Sequence, residues 1–149
     1  MSDVVVSCPQ ARWLEWLAEG GLPGDAVPLD TEYRWFGGSV HPSIEPGERV
    51  YIVAYGRVRG YAPLVRIEYK KNWGSTPPVW WWPYAKWALV RSGGAVACTI
   101  PMPVRGIPGW RYRFWQREDE QLFQDWQTVG VVNSPIKSAT PPLHQRLAW

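Results

Sequence analysis

The segment Pro46–Lys71, PGERVYIVAYGRVRGYAPLVRIEYKK, constrains the fold more than any other part of the chain. A Pro-Gly turn and the charged pair Glu48-Arg49 lead into strict alternation. Val50, Ile52 and Ala54 face one way; Tyr51, Val53 and Tyr55 face the other. Period-two alternation of β-branched and aromatic residues specifies a half-buried strand. Gly56–Gly60, GRVRG, reads as a break. A second strand follows, with Val65, Ile67 and Tyr69 on one face and Leu64, Arg66 and Glu68 on the other. Pro63 has no N–H for a ladder, which puts it at an edge or a bulge. The whole reads as a long hairpin with basic residues at its tip and along one side.

The rest of the chain can be set against this hairpin. Asp3–Ser7 is a short apolar run, read as a buried first strand. Trp13, Leu14, Trp16 and Leu17 recur at helical spacing before Gly20-Gly21, which predicts a helix over Gln10–Glu19. Thr31–Phe36 alternates as a strand, with Glu32, Arg34 and Phe36 on one face and Tyr33 and Trp35 on the other. Such a Glu–Arg pair is either a surface ion pair of little weight or part of a site. Trp87–Arg91 and Ala95–Ile100 flank Ser92-Gly93-Gly94, the signal of a two-residue hairpin turn. Trp110–Trp115 alternates again, placing Arg111, Arg113 and Trp115 together. The acidic start of Arg117–Thr128 suits a helix N-terminus. Val129–Val132 reads as a further strand.

With 149 residues the chain is expected to form one domain over 1–132, followed by a Pro-rich C-terminal tail over 133–149. The fold class expected is α+β, a small mixed β-barrel flanked by short helices. The net charge of +3 and a pI near 9.0 suit an anionic partner. The 12 Trp residues exceed what one small core hides, so some should line a contact surface. Most of the stretch from Asn72 to Trp87 is aromatic or proline, and reads as an ordered lid or platform rather than disorder. Without a leader or a long apolar run, the chain reads as cytoplasmic, with no membrane partner. Cys8 and Cys98 are then expected to be buried, reduced thiols. His41 and His144 lack metal-spaced neighbours, so no metal is expected, and no cofactor motif occurs.

The segments PGERVYIVAYGRVRGYAPLVRIE and TEYRW resemble the PUA-like superfamily, above all its ASCH and EVE branches. Glu48 stands where Asp is usual in the family. The TEYRW stretch is similar to the family's Glu-x-Arg, which would put Glu32 and Arg34 in its cleft. The resemblance implies a barrel flanked by helices that binds RNA, modified bases in DNA, or nucleosides. Some ASCH proteins hydrolyse an acylated cytosine or cleave RNA. In the hydrolase type a Lys and a Thr carry the chemistry where this chain has Leu29 and Glu32, so that activity is not carried over.

Three functions follow as alternatives. The first is a module binding RNA or DNA, with a modified base among its ligands, through a basic hairpin and an aromatic cleft. Its candidate contacts are Glu32, Arg34, Trp35, Arg57, Arg59, Lys70, Lys71, Trp73, Arg111 and Arg113. Arginine and lysine would neutralise phosphates, aromatic rings would stack on bases, and Glu32 with Arg34 would read a base edge. The second is a small hydrolase or ribonuclease with Glu32, Glu68 or His41 as general base, which a raised carboxylate pKa or a hydrogen-bonded His would support. The third is a protein-interaction module of a phage or mobile element, binding a protein partner through its Trp-rich surface.

Overall fold

The computed structural model describes residues 2–8, 32–38, 40–72, 85–93 and 95–123. Eight strands are found among them: β1 (Val4–Ser7), β2 (Glu32–Gly37), β3 (Arg49–Ala54), β4 (Arg57–Tyr69), β5 (Trp87–Ser92), β6 (Cys98–Thr99), β7 (Trp110–Tyr112) and β8 (Gln121–Leu122). Six of them form one mixed sheet in the order β2-β5-β4-β3-β1-β7, and β6 pairs with β8 in a second sheet. β1 runs parallel to β3; the other pairs are antiparallel.

β4 organises the large sheet. Its first half, Arg57–Pro63, pairs with β3, and its second half, from Leu64 to Tyr69, pairs with β5. The register shifts once in each half, leaving Arg59 and Val65 as extra residues. Bulges bend a strand and increase its twist, so the sheet curls around one apolar interior. That interior gathers Val4 and Val6 from β1, Val50 and Ile52 from β3, Leu64 from β4 and Leu89 from β5, with Trp35 and Trp110 packed against it. The outer strands approach each other across the curl. Trp35 Nε1 on β2 donates to the Ser7 carbonyl at the end of β1 (3.0 Å). Trp110 Nε1 on β7 donates to the Val40 carbonyl (2.8 Å), and the Tyr112 hydroxyl accepts from the Ser43 N–H (3.0 Å). The result is a curled half-barrel whose edges meet through side chains and the 40–43 loop rather than through a strand ladder.

The alternation of Val50–Tyr55 is realised as read, but β3 is covered on both faces. Val50, Ile52 and Ala54 face the curled interior. Tyr51 and Val53 face a second cluster built from Cys98, Ile100, Val104 and Trp115. The segment after β5 returns across the sheet and covers the face expected to be solvated. Cys8 and Cys98 are both buried and unbridged.

Three local expectations are corrected. The hairpin tip is the two-residue turn Tyr55-Gly56, both at positive φ (49° and 77°), and not Gly56–Gly60. Positive φ at both central residues matches the twist of the flanking strands, so pairing resumes at once with Ala54 opposite Arg57. The hairpin expected about Gly93-Gly94 does not form: β2 and β4 occupy both edges of β5, and residues 95–100 turn away to pair with Tyr61 and β8. Gly94 itself lies outside the described residues. The helix expected from Arg117 is a single 3₁₀ turn, Arg117–Asp119, followed by the short strand β8. No α-helix occurs among the described residues. The Gln10–Glu19 helix, most of the Asn72–Trp87 platform, the Val129–Val132 strand and the 133–149 tail lie outside them. Among the described residues no helix is long and apolar enough to cross a membrane.

Candidate functional site

The strand reading of Glu32, Arg34 and Phe36 on one face is realised, and register adds their neighbours. Arg34 lies opposite Val90, and Val90 opposite Arg66; Phe36 lies opposite Ala88, and Ala88 opposite Glu68. Glu32, Arg34, Arg66 and Glu68 therefore project from one sheet face over a small apolar floor. Arg66 grips Glu32 with both terminal nitrogens (2.7 and 2.8 Å) and reaches Glu68 (2.8 and 3.1 Å). Arg34 holds Glu68 through two bonds (2.9 and 3.0 Å) and lies 3.5 Å from Glu32. Two guanidinium forks and two carboxylates satisfy one another, and the group is neutral.

In this quartet Glu32 and Arg34, expected to read a base edge, are matched by the charged partners Arg66 and Glu68. The quartet also bears on catalysis. The Arg34 fork, assisted by Arg66, holds the Glu68 carboxyl down at about 2. Arg66 likewise lowers that of Glu32. A raised pKa is what would support a general base, and neither carboxylate has one.

The basic hairpin is corrected more sharply. Arg59 is 0 % exposed and Arg57 only 4 %. Arg59 donates from Nε to the Ala54 carbonyl (2.8 Å), and Arg57 donates from Nη2 to Thr99 Oγ1 (3.0 Å). Both guanidinium groups stand over the Phe123 ring, at 5.2 and 5.1 Å. They are interior cations that brace the turn against the returning segment. Trp35 is also structural: it packs on the interior beside Trp87 at 5.8 Å and ties β2 to β1. Arg113 pairs with the buried Asp3 carboxylate (3.0 Å). Trp73 lies outside the described residues.

Lys70, Lys71 and Arg111 remain exposed. Lys70 and Lys71 start the 3₁₀ turn Lys70–Asn72 that ends β4. Arg111 is on β7, the outermost strand of the large sheet, with its guanidinium 4.1 Å above the Phe114 ring. Tyr112 and Phe114 are each 40 % exposed, unusual for aromatic residues beside a sheet edge. Arg105 and Arg117 are exposed on the same arm of the chain. Sequence reasoning passed over the signal for this surface. From Tyr69 to Arg117 the chain has eight Lys or Arg and no Asp or Glu.

Sequence reasoning also missed a buried polar cluster beneath β3. Glu120 accepts from the Tyr51 hydroxyl (2.5 Å), Trp115 Nε1 (2.8 Å) and Arg49 (3.0 Å). Burial and the neighbouring carboxylate push the Tyr51 hydroxyl far above its ordinary value, and burial pushes the Cys98 thiol up to about 12. Both stay protonated and inert at neutral pH. Among the described residues no group of three His, Cys, Asp or Glu side chains could hold a metal ion.

No family model matches the sequence, and no curated protein matches it. Among solved structures the chain is similar to a mutant form of the ZmASCH protein from Zymomonas mobilis. The two share 12% identity over 80% of this chain and 94% of that one, with a TM-score of 0.46.

Proposed function

We propose that this chain is a nucleic-acid-binding module that takes a single strand of RNA or DNA on the surface of β7. One observation carries the reading: Arg111 stacked on the exposed Phe114 ring, with the exposed Tyr112 between them in sequence, within a stretch that has no acidic residue. Single-strand binders combine cations that follow the backbone with aromatic faces on which unpaired bases stack, each stack worth about 1–3 kcal/mol. β7, whose outer edge has no partner strand among the described residues, and the two residues after it supply both. A protein-binding surface can also combine arginine with aromatic rings, so salt dependence is what separates the two readings. Modified bases belong to the same reading, because stacking depends on the face of a base more than on its edge.

The test is fluorescence anisotropy with a labelled single-stranded oligonucleotide across a salt series. The expected result is an affinity that falls linearly in log–log form, by about 0.7 per phosphate contacted. Arg111→Ala combined with Phe114→Leu should weaken binding about tenfold or more, as expected for losing one stack and one phosphate contact. Parent-like affinity in that variant sinks the reading. Binding of an unrelated protein with no salt dependence, and none of the oligonucleotide, would favour the protein-partner alternative.

A further inference from the structure

We infer that the strand's path continues from β7 across the 40–43 loop to a second, lysine-rich phosphate subsite at the far end of β4 and β5. This rests on the nucleic-acid reading above and specifies its footprint. Gly37, Trp87 and Tyr69 form the last row shared by β2, β5 and β4. Just beyond it, the Lys86 N–H bonds to the Gly37 carbonyl (2.8 Å) and the Lys70 N–H bonds to the Lys86 carbonyl (2.9 Å). The backbone thus holds Lys70 and Lys86 as neighbours, with Lys71 following in the turn. All three are exposed, and none forms an ion pair among the described residues. Like charges set opposite each other on adjacent strands are destabilising. The nearest carboxylate in sequence, Glu68, is taken up by Arg34 and Arg66. An anion would relieve the repulsion.

The 40–43 loop joins this subsite to the β7 surface. His41 stands edge-on to the exposed Tyr69 ring at 5.5 Å, with its Nδ1 set 3.1 Å from the Pro42 carbonyl. On either side of it, Val40 accepts from Trp110 and Ser43 donates to Tyr112. Exposed Tyr112, His41 and Tyr69 therefore follow one another over the surface, with cations at both ends. A peptide with scattered acidic groups would not need rings between them. A chain that alternates flat bases with regularly spaced phosphates matches the order.

The experiment compares oligouridylates of about 4 and about 12 nucleotides by anisotropy, on the parent and on a Lys70→Gln, Lys71→Gln, Lys86→Gln variant. The lysines are exposed, so the variant is expected to fold; circular dichroism and urea unfolding verify this. The parent should bind the longer strand more tightly. The variant should lose most of that gain, about twentyfold at moderate salt. Its salt slope should be shallower by about 2, from three contacts at about 0.7 each. Its affinity for the short strand should stay unchanged. The His41 ring proton resonances of the parent should shift with the long strand and not with the short one. If the variant keeps parent-like affinity and slope for the long strand while Arg111→Ala weakens both strands, the second subsite is overturned and the β7 surface stands. If neither strand binds the parent, the nucleic-acid reading itself fails. Equal competition by polyglutamate would also overturn the subsite as one for phosphate.

Discussion

Glu68 and Asp3 are both carboxylates held by pairs of arginines, and their surroundings set different outcomes. Asp3 has a side chain only 2 % exposed. Burial opposes its ionisation, but the Arg49 N–H (2.9 Å), Arg117 (2.9 Å) and Arg113 together outweigh burial and lower its pKa. Asp3→Asn leaves these donors poorly matched in a dry site and should cost about 2–4 kcal/mol by urea unfolding. Glu68 is only partly buried, so Glu68→Gln should cost less, about 1–2 kcal/mol. Both groups have folded pKa values below their unfolded ones. Their stabilisation is therefore fully present above the unfolded values, from about pH 5 upward, and is lost as pH falls through the folded values, near 2 for Glu68. The parent's unfolding midpoint should drop between about pH 5 and pH 2.5, and Glu68→Gln should make that drop shallower. An identical pH profile in the variant would mean that the quartet adds nothing to the fold. Little of this was legible in the sequence. The Glu32–Arg34 spacing shows a shared face, but the partners Arg66 and Glu68 arrive by a pairing 34 residues distant.

At the scale of elements, strands were legible where alternation was strong, at Glu32–Gly37, Arg49–Ala54 and the second half of β4, and as a short apolar run at Val4–Ser7. Apart from the β3–β4 hairpin, their partners were not, because pairing between distant strands has no local signal. The Gly-Gly pair after β5 suggested a local hairpin, yet β5 is filled on both edges by β2 and β4. Arg57 and Arg59 were misread for a related reason. A Tyr at positive φ is rare enough that the sequence signals the turn one step late, at Gly56, and residues inside β4 read as a solvated tip. One glycine shows how tightly these elements meet. A Cβ at Gly37 would lie 2.3 Å from Trp87 Cζ2 and 2.5 Å from Cη2, inside any allowed contact. The Trp87 ring is buried and cannot swing into solvent. Gly37→Ala should therefore destabilise by about 1–3 kcal/mol through overpacking. Adding Trp87→Leu should recover part of that loss, giving a favourable coupling in a double-mutant cycle. Strictly additive effects would show that the strand shifts freely and that the β2–β5 contact is loose.

At the scale of the molecule, the curled sheet was legible as a barrel, but the manner of its closure was not. Closure rests on the side chains of Trp35, Trp110 and Tyr112, and Trp35 reads as a site candidate in the sequence. The largest surface signal, the acid-free run from Tyr69 to Arg117, spans several elements and emerges only when charge is read over the whole chain. Closure predicts how the molecule unfolds. Trp35 Nε1 bonds the Ser7 carbonyl across the curl, although three strands separate β2 from β1 in the sheet. Trp35→Phe keeps an aromatic ring against the interior and removes that donor, leaving a part-buried carbonyl unsatisfied at a cost of about 1–3 kcal/mol. If the edges are joined, the sheet opens as one unit, and the loss should appear equally in every protected amide. Native-state hydrogen exchange distinguishes the cases, since independently opening regions report separate free energies. The expected result is a uniform fall in protection at Val5 on β1, Ile52 on β3 and Leu89 on β5. A fall confined to β2 and β5, with β1 and β3 unchanged, would mean that the two halves sharing β4 open separately. The contact between Trp35 and Ser7 would then be a local tether, and the half-barrel would behave as two sheets hinged at the bulges of β4.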